Sequence, residues 1–114
     1  MVIARFEDII TWQKAKDLTL IIYQLFKLNR DFSFRDQIQR ASISIMNNIA
    51  EGFERKGNKE FKNFLFIAKG SCAETRSMLY IAVALKYITQ SEFNSLFNKT
   101  EEIAKMLSGL IKTL

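Results

Sequence analysis

Residues 33–55 read SFRDQIQRASISIMNNIAEGFER, and their spacing decides the fold. Phe34, Ile38, Ala41, Ile45, Ile49 and Gly52 recur every three or four positions, so they line one stripe of a helix. Gln37, Arg40, Ser44, Asn48, Glu51 and Arg55 form a narrow polar stripe, with the core stripe about 100° away around the same helix. A third face carries Ile43, Met46 and Ala50. The apolar arc is therefore about 200° wide, against the ~100° a bundle helix needs to bury itself. Either Trp12 or the chain ends cover the surplus face, or it is a contact between copies. The second reading is favoured, with Ile43, Met46 and Ala50 at the interface.

Working outward, the same cadence appears three more times. Asp8–Leu28 places Trp12, Ala15, Leu18, Ile22 and Leu25 at helical spacing, and Asn29-Arg30-Asp31 breaks it. Ser33 with Asp36 three residues on resembles a capping box for the second helix, with Asp in place of Glu. Lys56-Gly57 ends that helix. Asn58 is the expected N-cap of the third, which runs to about Tyr87 with Phe61, Leu65, Ala68, Cys72, Leu79 and Val83 on its inner stripe. After Thr89-Gln90, Ser91 is the expected cap of the fourth. Phe93, Leu96, Phe97, Thr100, Ile103, Ala104, Leu107, Leu110 and Ile111 form its inner face. Four long helices with short connections predict an all-α, antiparallel up-and-down four-helix bundle, a single domain over residues 1–114.

Composition agrees. The 114 residues contain no proline and only four glycines, too few breakers for a many-stranded sheet fold. Hydrophobic content of 48% and charged content of 25% are those of a globular chain. A formal charge of +5 favours anionic partners, nucleic acid first and an anionic membrane surface second. Cys72 is the only cysteine, which rules out an intramolecular disulfide and fits a reducing cytoplasm. Met1–Ile10 has no apolar core flanked by basic residues, so no leader is expected there. The apolar runs at Leu18–Phe26 and Leu79–Leu85 fall short of the ~20 residues of a membrane span.

Most enzyme chemistry has no residues to run on. Without histidine there is no Ser-His or Cys-His pair and no Glu-x-x-His metal ligand, and one cysteine cannot build a zinc site. Neither cofactor nor metal is expected. Cys72 reads as a small buried hydrophobe. The pairs Glu51/Glu54 and Glu101/Glu102 have no periodic reason to enter the core, so acid–base catalysis is disfavoured. Gly52–Gly57 matches the start of a phosphate loop, but Asn58-Lys59 fails its last two positions and a helix precedes it.

The third helix carries the candidate binding face. Lys62, Lys69 and Arg76 repeat every seven residues, about 10 Å of helix, a spacing at which cations can engage a nucleic-acid backbone. Phe66, Ala73, Tyr80 and Tyr87 repeat beside them, and Phe66 and Tyr80 offer rings for stacking on unpaired bases. Arg55, Lys56 and Lys59 add a basic loop. On pattern alone a solvated face with aromatics at subunit contacts is favoured over RNA binding. Gly70-Ser71 followed by Ala73 points to a helix packed closely there.

Several stretches together resemble one family: Trp12-Gln13-Lys14-Ala15, Asp36-Gln37-Ile38-Gln39-Arg40-Ala41, and Ser44 through Arg55 with its Asn-Ile-Ala-Glu-Gly run. Glu60-Phe61, Phe64-Leu65, Ile67-Ala68-Lys69-Gly70-Ser71 and Glu74 extend the likeness. These resemble the small four-helix proteins encoded in intervening sequences of bacterial 23S ribosomal RNA genes, the S23-like family. The resemblance implies a homo-oligomeric bundle, a pentameric ring by analogy, and no enzyme. It makes RNA a plausible partner, through structural relatives associated with a reverse transcriptase; a protein partner is the alternative, as for an oligomeric scaffold. It also marks Asn48, Glu51 and Gly52 as signature positions, the first two expected to bond a neighbouring helix or subunit. The family commonly carries proline near Met46, and its absence here implies a straighter second helix.

Overall fold

Helix α1 spans Ile10–Leu25, and Ala15, Leu18 and Ile22 on its inner stripe are fully buried. It is shorter at both ends than its apolar periodicity. Asp8 belongs to a separate 3-10 turn, Phe6–Asp8, and the chain leaves the helix at Phe26, whose ring is buried in the core. The computed structural model describes residues 2–114, so the Met1 end of the segment read as leader-free lies outside it. Every regular element among the described residues is helical.

Helix α2, Phe32–Glu54, runs without interruption through Met46. Its cap differs from expectation. Asp31, not Ser33, takes the N-cap position, and its side chain accepts from the Phe34 amide at 3.2 Å. A carboxylate three residues before an orphan amide serves as well as the Ser/Asp pair, and it frees Ser33 to join the first turn. Ile38, Ala41, Ile45, Ile49 and Gly52 are buried as the stripe requires, joined by Ser42.

Helix α3 covers Asn58–Ala84. Asn58 is its first helical residue rather than its cap. Gly57 holds that position with φ of +88°, a conformation only glycine adopts without strain. The far end closes earlier than expected, in a Schellman motif: the Tyr87 amide reaches the Ala82 carbonyl at 2.8 Å and Lys86 N–H the Val83 carbonyl at 3.1 Å. Lys86 takes the left-handed φ of +63° that this motif demands. Helix α4, Gln90–Lys112, opens on Thr89 rather than Ser91. Thr89 Oγ1 accepts from the Glu92 amide at 3.1 Å while Glu92 Oε1 accepts from Thr89 N–H at 2.8 Å. Only Thr89 has a glutamate three residues on, so only it completes the reciprocal box.

Each helix touches two neighbours: α1 meets α2 and α4, and α3 meets α2 and α4, with no contact between α1 and α3. Between α1 and α2 and between α2 and α3, contacts run in reversed order along the two sequences. Thr19 bonds the Ser42 carbonyl and Gln39 the Tyr23 carbonyl; Ser44 meets Ser71 and Tyr87 meets Asp31. Leu18, Ile22, Phe26, Ile38, Ile45, Ile49, Leu65, Leu79, Leu96, Ile103 and Leu107 fill the space between. A buried band of hydroxyls crosses it, and all are satisfied: Thr19 to Ala15 and Ser42 carbonyls, Thr75 to Ser71 carbonyl, Thr100 to Phe97 carbonyl. Most of these bonds turn back onto the hydroxyl's own helix, and Thr19 to Ser42 is the one among them that crosses between helices.

Candidate nucleic-acid and assembly face

The inner stripe of α3 is Leu65, Ala68, Cys72, Thr75, Leu79 and Ala82. Its outer side should therefore be polar, and it is only partly so: Asn63, Glu74 and Ser77 are exposed there, but large apolar side chains stand among them. Phe66, Ile67, Tyr80, Ile81 and Leu85 are 51–54% exposed, with Gly70 and Ala73 exposed between them. From Phe66 to Leu85 they spread over about 30 Å at the normal helical rise, so apolar surface is exposed along much of the helix, with Glu74 and Ser77 interspersed. The expectation of a helix of the same chain packed on Gly70 does not hold, since a Cβ built there meets nothing within 4 Å. Gly70 lies opposite the core stripe, where the single chain has no further helix to offer.

The predicted cations follow the edge of this face. Lys69 is exposed and Lys62 and Arg76 are half-buried, on the side where Tyr80 packs against α4. Lys56 and Lys59 continue the line onto the loop and first turn of α3. Among the described residues none of these five forms an ion pair. Arg55 is different. It pairs with Glu51 at 2.7 Å, a hydrogen bond that raises its pKa, and its guanidinium lies 5.0 Å over the Phe64 ring. Two of the predicted rings are also engaged. Tyr80 meets Phe93 edge-on at 5.3 Å and Phe97 at 5.8 Å. Tyr87 donates its hydroxyl to Asp31 at 2.6 Å and packs on Phe34. Phe66 keeps 53% of its surface exposed.

The signature stretch of α2 turns inward. Asn48 donates to the carbonyl and hydroxyl of Ser44, one turn back, and Glu51 pairs with Arg55, so both are satisfied on their own helix rather than on a neighbour. The link to α3 comes instead from Ser44 Oγ and Ser71 Oγ, 2.9 Å apart. Gly52 does permit close approach: a Cβ there would sit 2.5 Å from Phe64 Cβ. The third face of α2 is not wet in the single chain. Ile43, Met46 and Ala50 are half-buried, and Met46 packs on the core. The N-terminal turn folds onto α2 and α1, with Ile3, Phe6 and Trp12 also packed on the core. Ile67, Ile81 and Leu85 are what the sequence reading missed. Their only signal was position opposite the core stripe, where apolar residues are out of place.

Cys72 lies buried on α3, its thiol 3.1 Å from the Thr100 carbonyl, and burial pushes its pKa up to about 11. The thiol is thus protonated and shielded at neutral pH, and a thiolate-selective reagent should modify native protein far more slowly than urea-unfolded protein. Rapid stoichiometric labelling of native protein would overturn this assignment. No group of three or more His, Cys, Asp or Glu side chains among the described residues gathers as a metal site. Among the described residues no helix is long and apolar enough to cross a membrane.

A family model described as 23S rRNA-intervening sequence protein matches residues 7–109. A solved structure from Bacteroides thetaiotaomicron VPI-5482, of a protein of unknown function from the S23 ribosomal protein family, is 29% identical with a TM-score of 0.84. That alignment covers 90% of this chain and 96% of the other. No curated protein gives a significant match.

Proposed function

Because this chain belongs to the 23S rRNA-intervening sequence protein family, we propose that it is a non-enzymatic, self-assembling RNA-binding protein rather than a catalyst. The observation that carries the reading is the outer face of α3, where Phe66, Ile67, Tyr80, Ile81 and Leu85 are exposed beside the unpaired cations Lys62, Lys69 and Arg76. In the proposed architecture the four helices run up and down, antiparallel, as the reversed order of their contacts supports. Copies associate through α3. Five subunits is the number the family resemblance suggests. Assembly buries these apolar side chains and repeats the cation row around the particle, so several weak phosphate contacts act together. In this proposal α3 supplies the assembly surface in preference to Ile43, Met46 and Ala50, which are half-buried within the single chain.

A second reading, an oligomeric scaffold that recruits protein and binds no nucleic acid, draws on the engagement of Arg55, Tyr80 and Tyr87 within the chain. RNA titrations across a salt series separate the two. Affinity should fall steeply with salt, and replacing Lys62, Lys69 and Arg76 with glutamine should weaken binding and flatten the salt slope while leaving the fold and assembly intact. Absence of binding at low salt would favour the scaffold. In parallel, light scattering at micromolar concentration should report several subunits, and Ile81→Glu should reduce them to folded monomers. A wild-type mass of 13.3 kDa would sink the assembly reading.

A further inference from the structure

Away from α3, the outer seam of α1 and α2 holds a second concentration of aromatic and cationic groups. We infer that the groove between α1 and α2, built on Tyr23 with Lys27, Arg35, Gln39 and Arg40, is a seat for an unpaired segment of RNA. Two adjoining depressions of about 360 and 330 Å³ meet there, and both are lined by Tyr23 and Gln39. Lys27 and Arg35 border the first, Arg40 and Asp36 the second.

The chemistry of the lining argues for this occupant. Tyr23 is 39% exposed and makes no aromatic contact among the described residues, unlike Tyr80 and Tyr87. Its ring is accordingly available to a base. Arg35 lies 4.9 Å over the exposed ring of Phe32, a flat platform of the kind on which bases also stack. Gln39 donates to the Tyr23 carbonyl at 3.4 Å, which places a side-chain amide, able to read a base edge, between the two cationic ends. Asp36 is the one acid in the lining. It is already paired with Arg35 at 3.1 Å, which leaves Lys27 and Arg40 without ion pairs for phosphates. An exposed tyrosine ring among glutamine and cationic side chains fits a stacked, negatively charged strand better than it fits a buried helix of another protein. A duplex hides its base faces and would leave Tyr23 unused.

This inference rests on the RNA-binding reading above and names a different surface for it. The test is anisotropy of a labelled single-stranded oligouridylate, and of a hairpin of equal length, on the full chain and four variants. Tyr23→Ala and the pair Lys27→Gln/Arg40→Gln should each lose roughly fivefold or more for the single strand and little for the hairpin. Tyr23→Phe should retain binding, because the ring survives. The fourth variant is the α3 triple glutamine. Photo-crosslinking of a 4-thiouridine oligomer should label peptides containing Tyr23 or Phe32. If wild type binds neither RNA at low salt, the functional reading fails and takes this one with it. If wild type binds, the α3 triple variant loses affinity and the Tyr23 and Lys27/Arg40 variants do not, the groove is overturned while the functional reading stands. A Tyr23→Ala protein that falls apart into monomers yet binds RNA normally would mean that the groove seats a second copy, which also overturns the proposal.

Discussion

Replacing Ile49 with alanine should cost about 2–5 kcal/mol of folding stability, the range for removing most of a large aliphatic side chain from a packed core. Ile49 is fully buried on α2, in the same cluster as Ile45 and Leu65. Its loss leaves a cavity that stiff helices can close only in part. Against a total stability of about 5–15 kcal/mol for an ordinary domain, that is a large share. In a thermal melt the midpoint should fall by roughly 8–20 °C. Asn47→Ala, two residues away and exposed, serves as the control and should change little. A negligible loss at Ile49 would mean that the faces of α2 are wrongly assigned.

Gly52→Ala should also destabilise, against the usual sign for the substitution. In a helix interior alanine is normally favoured over glycine by about 0.5–1 kcal/mol, because glycine loses more backbone freedom on folding. At Gly52 the added Cβ would lie 2.5 Å from Phe64 Cβ and 3.1 Å from Phe61 Cδ1. The first of these atoms is fixed to the backbone of α3, so no rotamer change can move it aside. The helices must separate, at an expected cost of about 1–3 kcal/mol typical of overpacking. Gly109→Ala on α4 meets nothing within 4 Å and should show the ordinary gain. Phe64→Ala keeps its Cβ and should not rescue Gly52→Ala, whereas Phe64→Gly should. Equal stabilisation at Gly52 and Gly109 would contradict the close approach of α2 and α3.

The periodic apolar stripes were legible because each reports a local property, which residues share a side of one helix. Ile38, Ala41, Ile45, Ile49 and Gly52 are buried as their spacing required, and the lack of histidine excluded whole classes of chemistry without any coordinates. Caps were less legible. Asp31, Gly57 and Thr89 compete with Ser33, Asn58 and Ser91 within two residues, and neighbouring positions that can all cap blur the boundary even where a local cue, such as Glu92 three residues after Thr89, favours one. The outer faces were decided only by tertiary structure. Met46 looks surplus on a wheel, yet it packs on the core, and the N-terminal turn, more than thirty residues away in sequence, lies against α2. Ile67 and Ile81 look like ordinary helix residues, yet about half the surface of each stays exposed. A helical wheel separates one side of a helix from the other, but burial depends on what stands opposite, and that is set by contacts between residues far apart in the chain.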